Sequence, residues 1–294
     1  MKIPNMFLLM FAVCLTASGC KKRSPHEGPE GFIQIKGSDT IVNAAQMVSE
    51  EFMKEYPYVF VAITGGGSGV GVASLINKTC DIATMSREIK PKEIEMANKK
   101  GVFPKEYVVA FDGVAVIVNN SNPVTQLTIE DLHKIFTGKA SNWKEFGGND
   151  LPIVTLSREV SSGTYSYFKD EIIKLGDKDS TQEFSSQTLL LSSSQAIVEE
   201  VSGNEDAIGY LGMGYANSRT KSLAVGKNGS PSLPTPENVI NKTYPLSRPL
   251  YFFTDGEPDG VTRLFIDYTL SPKGQQQFEK TGFVPVRKDY AQKT

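Results

Sequence analysis

Histidine is nearly absent: His26 and His133 are the only two in 294 residues. A histidine-based metal centre or a Ser-His-Asp triad is hard to assemble from that supply. Neither sign of charge dominates, with 31 lysines and arginines against 33 aspartates and glutamates. A net charge of −2 offers no basic face to a nucleic acid. The apolar run from Met6 to Leu15 is too short to span a bilayer as a stable anchor. Cysteine is scarce as well, with only Cys14, Cys20 and Cys80. What is present is ordinary: 39% hydrophobic and 22% charged residues, enough to bury a sizeable core. The length suits two modest lobes better than one.

The N-terminus reads as a targeting segment. "MKIPNMFLLMFAVCLTASGC" carries one lysine, an apolar stretch and small residues up to Cys20. "ASGC" at 17–20 resembles the bacterial lipobox, with Ala17 where leucine is more usual. The expectation is a signal peptide over 1–19 and a lipidated Cys20, anchored by its acyl chains. "KKRSPHEGPEG" (21–31), charged and containing Pro and Gly, reads as a flexible tether. With Cys14 removed and Cys20 acylated, Cys80 has no partner for an internal disulfide. A small buried hydrophobe beside a strand is the expected role of Cys80.

From residue 31 strands and helices alternate, which indicates an α/β fold with largely parallel sheets. "FIQIKG" is a strand. The helix after it places Ile41, Ala45, Val48 and Phe52 on one face. "YVFVAIT" and "CDIATMS" are strands around a short helix, "VGVASLIN". "KPKEIEMANKKG" is a polar helix with Gly101 beyond its C-terminus. "EYVVAFDGVAVIVNN" reads as two strands with a bend at Asp112–Gly113. Thr128 and Asp131 form a variant capping box for "TIEDLHKIFTG". His133, inside that helix, is expected to pack or face solvent.

Three loops share one design: small polar residues after a strand and before a helix. They are "KGSDT" (36–40), "GGGSG" (65–69) and "SSGT" (161–164). Each sets hydroxyls and N–H groups at a helix N-terminus, where the macrodipole amounts to about +0.5 charge. Ligands of open α/β sheets bind at the carboxyl ends of strands, where these loops lie. Arg87 in "MSREI" and Arg158 in "LSREVSSGT" add planar forks suited to an oxyanion.

Other uses of a glycine-rich loop fail on this spacing. A G-x-G-x-x-G fingerprint needs glycine where Val70 stands, and a P-loop needs a lysine, which first occurs at Lys78. A nucleophile elbow around Ser68 also needs glycine at 70. Serine hydrolysis has no histidine to serve it.

The chain resembles the phosphate-binding lipoprotein component of bacterial phosphate ABC transporters, over about residues 31 to 290. The resemblance lies in "GSDTI", "GGGSGVG", "DIATMSREIKPKE", "FDGVAVIVN", "LTIEDLHKIFTGKASNWKEFGG", "SREVSSGT", "AIGYLGMGY" and "YPLSRPLYFFT". It implies a periplasmic-binding-protein-like fold of two α/β lobes, each a mostly parallel sheet flanked by helices, joined by a two-segment hinge. Lobe I would comprise 31–112 and 225–294, and lobe II 113–224. The crossings would fall after Phe111 and near Lys221–Val225. It also implies a phosphate site of Ser38, Thr40, Ser68, Ser86 and Arg87 from the first lobe, with Arg158, Ser162, Gly163 and Thr164 from the second. Some members carry an aspartate at Ser86 that accepts the phosphate proton. Here Asp112, in an apolar stretch at the crossing, is a candidate acceptor, and Asp39 is a second. The expected protein is a non-enzymatic monomer without metal or cofactor. It would bind inorganic phosphate outside the cytoplasm, held to a bacterial membrane by its lipid and delivering to permease subunits. Sulfate, molybdate or a sensing role are the alternatives.

Overall fold

The structure, a computed structural model, describes residues 28–227 and 229–286. The expected signal peptide, Cys14, Cys20, His26 and most of the tether lie outside the described residues. Among the described residues no helix is long and apolar enough to cross a membrane.

The chain opens with β1 (Gly31–Gly37), α1 (Val42–Glu55), β2 (Val59–Thr64), α2 (Ser68–Ile76), β3 (Ile82–Met85) and α3 (Pro91–Lys99). The long strand β4 (Pro104–Asn119) leads to β5 (Gln126–Thr128), α4 (Ile129–Phe136) and β6 (Val154–Arg158). Next come α5 (Gly163–Phe168), continued by one wider turn, then β7 (Leu189–Leu191), α6 (Ser194–Gly203) and β8 (Ala207–Gly212). Three short strands follow: β9 (Thr220–Ser222), β10 (Ala224–Lys227) and β11 (Ser230–Ser232). After α7 (Pro236–Ile240) come β12 (Ser247–Asp255), α8 (Gly260–Leu270), α9 (Pro272–Lys280) and β13 (Val284–Pro285).

The α/β reading holds, but the sheet is mixed. β1 runs parallel to β2 and β3, and β6 runs parallel to β7 and β8. β12 is antiparallel to β3 and β4, and β4 is antiparallel to β8 and β9. The antiparallel members therefore include both strands that pass between the halves.

"EYVVAFDGVAVIVNN" is one strand of 16 residues, not two. It stays continuous because each half has its own neighbour. Pro104–Gly113 pairs with β12, and Val114–Val118 pairs with β8. The curvature is taken up by a one-residue slip at Val109, which has no partner across Leu250/Tyr251. The expected return near Lys221–Val225 is also displaced. Thr220–Ser222 pairs with the far end of β4, and Ala224–Gly226 pairs with β5. Pairing with the first half resumes only at Ser247, opposite Gly113. The β10–β11 hairpin holds the intervening residues on the second half.

Local signals act as written in the sequence. Thr128 caps α4 by accepting from the Asp131 amide at 3.0 Å, and Asp131 accepts from the Thr128 amide at 3.0 Å. Gly101 adopts φ +67° just past α3. Ile33, Ile35, Val48, Phe52 and Phe265 form part of one core, and Phe136, Phe168 and Tyr210 belong to the same cluster. His133 Nδ1 donates to the Ile172 carbonyl at 3.0 Å, tying α4 to the turn after α5. Cys80 is half-buried beside β3, and burial pushes its thiol up to about 12.

Candidate functional site

β1, β2, β3 and β6 all end at one place, and each ending turns sharply into the loop that follows. Gly37 has φ +141°, and a Cβ there would collide with the Thr84 carbonyl. The Ser38 amide donates to that same carbonyl at 2.8 Å. Gly67 has φ +100°, and its Cβ would lie 2.5 Å from the Ser161 carbonyl oxygen. The Gly67 amide donates to Gly37 O at 2.8 Å and the Gly69 amide to Ser161 O at 2.9 Å. The "GSDT", "GGGSG" and "SSGT" loops are thus stitched to one another by backbone hydrogen bonds.

This stitching brings most of the expected hydroxyls together. Thr40 Oγ1 lies 2.8 Å from Thr164 Oγ1. Ser68 Oγ accepts from the Ser86 amide at 3.0 Å and lies 3.4 Å from Ser86 Oγ. Ser162 caps α5, accepting from the amides of Thr164 at 3.2 Å and Tyr165 at 3.3 Å. Gly163 packs so closely that a Cβ would overlap Ser68 Oγ and sit 2.6 Å from Ser86 Oγ. Ser38, Thr40, Ser68, Ser86, Ser162, Gly163 and Thr164 are all buried. Ser38 Oγ has no hydrogen-bond partner among the described residues. An orphaned buried hydroxyl costs about 1–3 kcal/mol, a debt that an anion would cancel.

Two ion pairs, each with a buried arginine, flank the hydroxyls. Arg158 Nη1 lies 3.1 Å from Asp39 Oδ2 and donates to Ser194 Oγ at 2.8 Å. Its Nη2 donates to Ser192 O, and Asp39 Oδ2 also accepts the Ser194 amide at 2.8 Å. Burial lowers the pKa of Arg158, and the Asp39 charge opposes that shift. Asp112 is fully buried; its Oδ2 accepts from Arg248 Nε at 3.0 Å and Nη2 at 2.8 Å. Its Oδ1 accepts the Met213 amide at 2.9 Å. Burial raises the Asp112 carboxyl, with Arg248 and the backbone donors pulling the other way.

Arg87 is not brought to the hydroxyls. Its Nη1 and Nη2 grip Glu93 of α3 at 2.8 and 2.7 Å, and Nη1 also donates to Glu88 O at 2.7 Å. The bidentate partner six residues on captures the fork before it can turn inward. Arg248 occupies the central position instead, and the sequence reading of site residues passed over it. Its signal was an arginine within the apolar strand "RPLYFF": a buried charge there demands a buried opposite charge. Ser194, at the start of α6, was missed because a serine at a helix start reads as a simple cap. Among the described residues no group of His, Cys, Asp or Glu is arranged to hold a metal.

A family model described as the PBP superfamily domain matches residues 23–273. The phosphate-binding protein PstS of Pseudomonas aeruginosa is 32% identical, covering 90% of this chain and 86% of its own. The PstS of Borreliella burgdorferi is also 32% identical, with 88% and 91% covered. A crystal structure of a candidate phosphate ABC transporter substrate-binding protein with bound phosphate, from Clostridium perfringens, superposes with a TM-score of 0.79. It is 33% identical, covering 87% of this chain and 100% of that one. An ABC-type phosphate transport receptor from Vibrio cholerae gives a TM-score of 0.70 at 30% identity, with 86% and 100% covered. The chain belongs to the PBP superfamily and, within it, to the family of phosphate-binding proteins named PstS.

Proposed function

We propose that this protein binds inorganic phosphate between its two halves and delivers it to an ABC-type permease. The observation that carries the reading is the convergence of three strand-to-helix loops on one buried cluster of hydroxyls with an orphaned Ser38 Oγ. Helix N-termini and hydroxyl donors stabilise an anion, and each charged residue beside them is already neutralised by an opposite charge. The anion therefore meets donors and dipoles rather than a free cation. The names of the PstS relatives and the phosphate-bound neighbour support the same ligand.

Within this reading the phosphate contacts are Ser38, Thr40, Ser68, Ser86, Ser162, Gly163 and Thr164. Arg158 holds the second-half loop against Asp39, and Arg87 is left to Glu93. Hydrogen phosphate carries a P–OH that sulfate lacks, so one acceptor selects between them. We assign that acceptor to Asp112, whose carboxylate and the Thr40 methyl both crowd the position of a Cβ on Gly212. The halves move as lobes about the paired segments of β4 and β12, and opening releases the ligand to the permease. Catalysis has no part in this scheme. The protein works as a monomer outside the cytoplasm, and acyl chains on Cys20 tether it to the membrane.

Equilibrium dialysis of the purified chain against labelled phosphate tests the reading. Saturable retention of one phosphate per chain is expected, and absence of retention overturns it. Asp112→Asn should narrow the preference for phosphate over sulfate, and an unchanged preference places the acceptor elsewhere. Turnover of a chromogenic phosphate ester would contradict the non-enzymatic role. Loss of membrane attachment in Cys20→Ala checks the tether.

A further inference from the structure

We infer that Arg248 is a positioning residue of the anion site, orienting the hydroxyls of Thr164 and Thr40 so that Thr164 donates to Thr40 and Thr40 donates toward the ligand. This rests on the phosphate-binding reading. Arg248 belongs to β12 and is bound to Asp112 of β4, so it is fixed to both strands that pass between the halves. From that anchor its fork reaches out in two directions. Nη1 donates to the Ser86 carbonyl at 2.9 Å in the first half, and Nη2 donates to Thr164 Oγ1 at 2.9 Å in the second. The Tyr167 ring, one turn along from Thr164, lies 5.3 Å from the guanidinium carbon.

A guanidinium only donates, whereas a hydroxyl has one hydrogen and two lone pairs. Thr164 Oγ1 therefore accepts from Arg248 and has its hydrogen left to give. Thr40 Oγ1, 2.8 Å away, receives it and turns its own hydrogen outward. The chain runs from guanidinium to Thr164, to Thr40, to the anion, and each link polarises the next. The other hydroxyls are set by the same logic with backbone donors. Ser68 Oγ accepts the Ser86 amide, and Ser162 Oγ accepts the amides of Thr164 and Tyr165. Arg248 does for the Thr40–Thr164 pair what backbone amides do for Ser68 and Ser162. Without it the pair has no imposed direction, and a lone pair facing the anion is as accessible as a hydrogen.

A double-mutant cycle read by phosphate titration of the full chain tests this, using wild type, Arg248→Gln, Thr164→Val and the double variant. Arg248→Gln should weaken phosphate binding by about tenfold or more in the wild-type background and by a several-fold smaller factor beside Thr164→Val, the remainder being the cost of leaving Asp112 unpaired. A residue that merely holds β4 to β12 would cost the same factor in both backgrounds, and that result overturns the inference. If Arg248→Gln fails to fold, Arg248→Lys enters the same cycle; it keeps the charge but loses the fork, so the same pattern is expected. If Thr164→Val binds too weakly to measure, Thr40→Val takes its place at the next link of the relay, where the Arg248→Gln penalty should again shrink and an undiminished penalty overturns the inference. Wild type that binds no phosphate defeats the underlying reading as well. Wild type that binds, with penalties that multiply, defeats the Arg248 assignment alone.

Discussion

Arg158 and Arg248 have almost no exposed surface, and each meets its carboxylate across a large separation in sequence. Breaking such a pair leaves an uncompensated charge, fully buried at Asp112 and largely shielded from water at Asp39, which is more damaging than the pair is stabilising. Arg158→Ala should therefore strand Asp39 beside the first loop and lower phosphate affinity at least about tenfold by calorimetry. The Arg87–Glu93 pair lies outside the hydroxyl cluster and bears on stability instead. Burial raises the Glu93 carboxyl, but hydrogen bonds from Arg87 and the Lys90 amide outweigh it and leave it below its ordinary 4.5. A depressed folded-state value means that the stabilisation is complete above about pH 4.5 and fades as pH falls below that. Glu93→Gln should cost about 2 kcal/mol at neutral pH by urea unfolding. The difference from wild type should shrink in acid, and a gap constant with pH would contradict this assignment.

At this scale the sequence was legible in part. Asp112 stood out because a carboxylate in an apolar strand needs a reason. Its partner did not, because Arg248 lies 136 residues away and only strand pairing brings them together. Arg87 misled for the converse reason: its neighbourhood looked suited to an anion, while a local carboxylate on α3 had already claimed its fork.

Among the elements, the three strand-to-helix loops were readable because glycine, serine and threonine at strand ends have a local conformational meaning. What the sequence could not convey is how tightly those loops meet. Gly163 has ordinary backbone angles, so nothing local demands glycine; the demand comes from Ser68 and Ser86 of the other half. Gly163→Ala should wedge the halves apart, lowering phosphate affinity at least about tenfold, or 1.4 kcal/mol, by calorimetry. The melting temperature should stay within a few degrees, because the hydrophobic core is not touched. A full-affinity Gly163→Ala would show that the loops do not close to this distance around the ligand. The single strand β4 was misread as two for a related reason. Its length looks excessive for one strand, whereas here it marks a strand whose neighbours change halfway along.

For the whole molecule, α/β alternation and length pointed to two halves, and the pairing of β4 and β12 explains how they are joined. The return point was displaced because β10 has the same composition whether it crosses or not; its partner β5 decides. Two antiparallel crossing strands, cross-linked by Arg248 and Asp112, join the halves with the hydroxyl cluster beside them. In the proposed scheme, small rotations about these strands would separate Thr40 from Thr164 and Ser68 from Gly163, making ligand binding and closure one event. The most direct test of this account is calorimetry of the purified chain with phosphate, sulfate and molybdate under identical conditions. One phosphate per chain is expected, with sulfate and molybdate at least about tenfold weaker. Equal affinity for phosphate and sulfate, or no heat with phosphate, would contradict it.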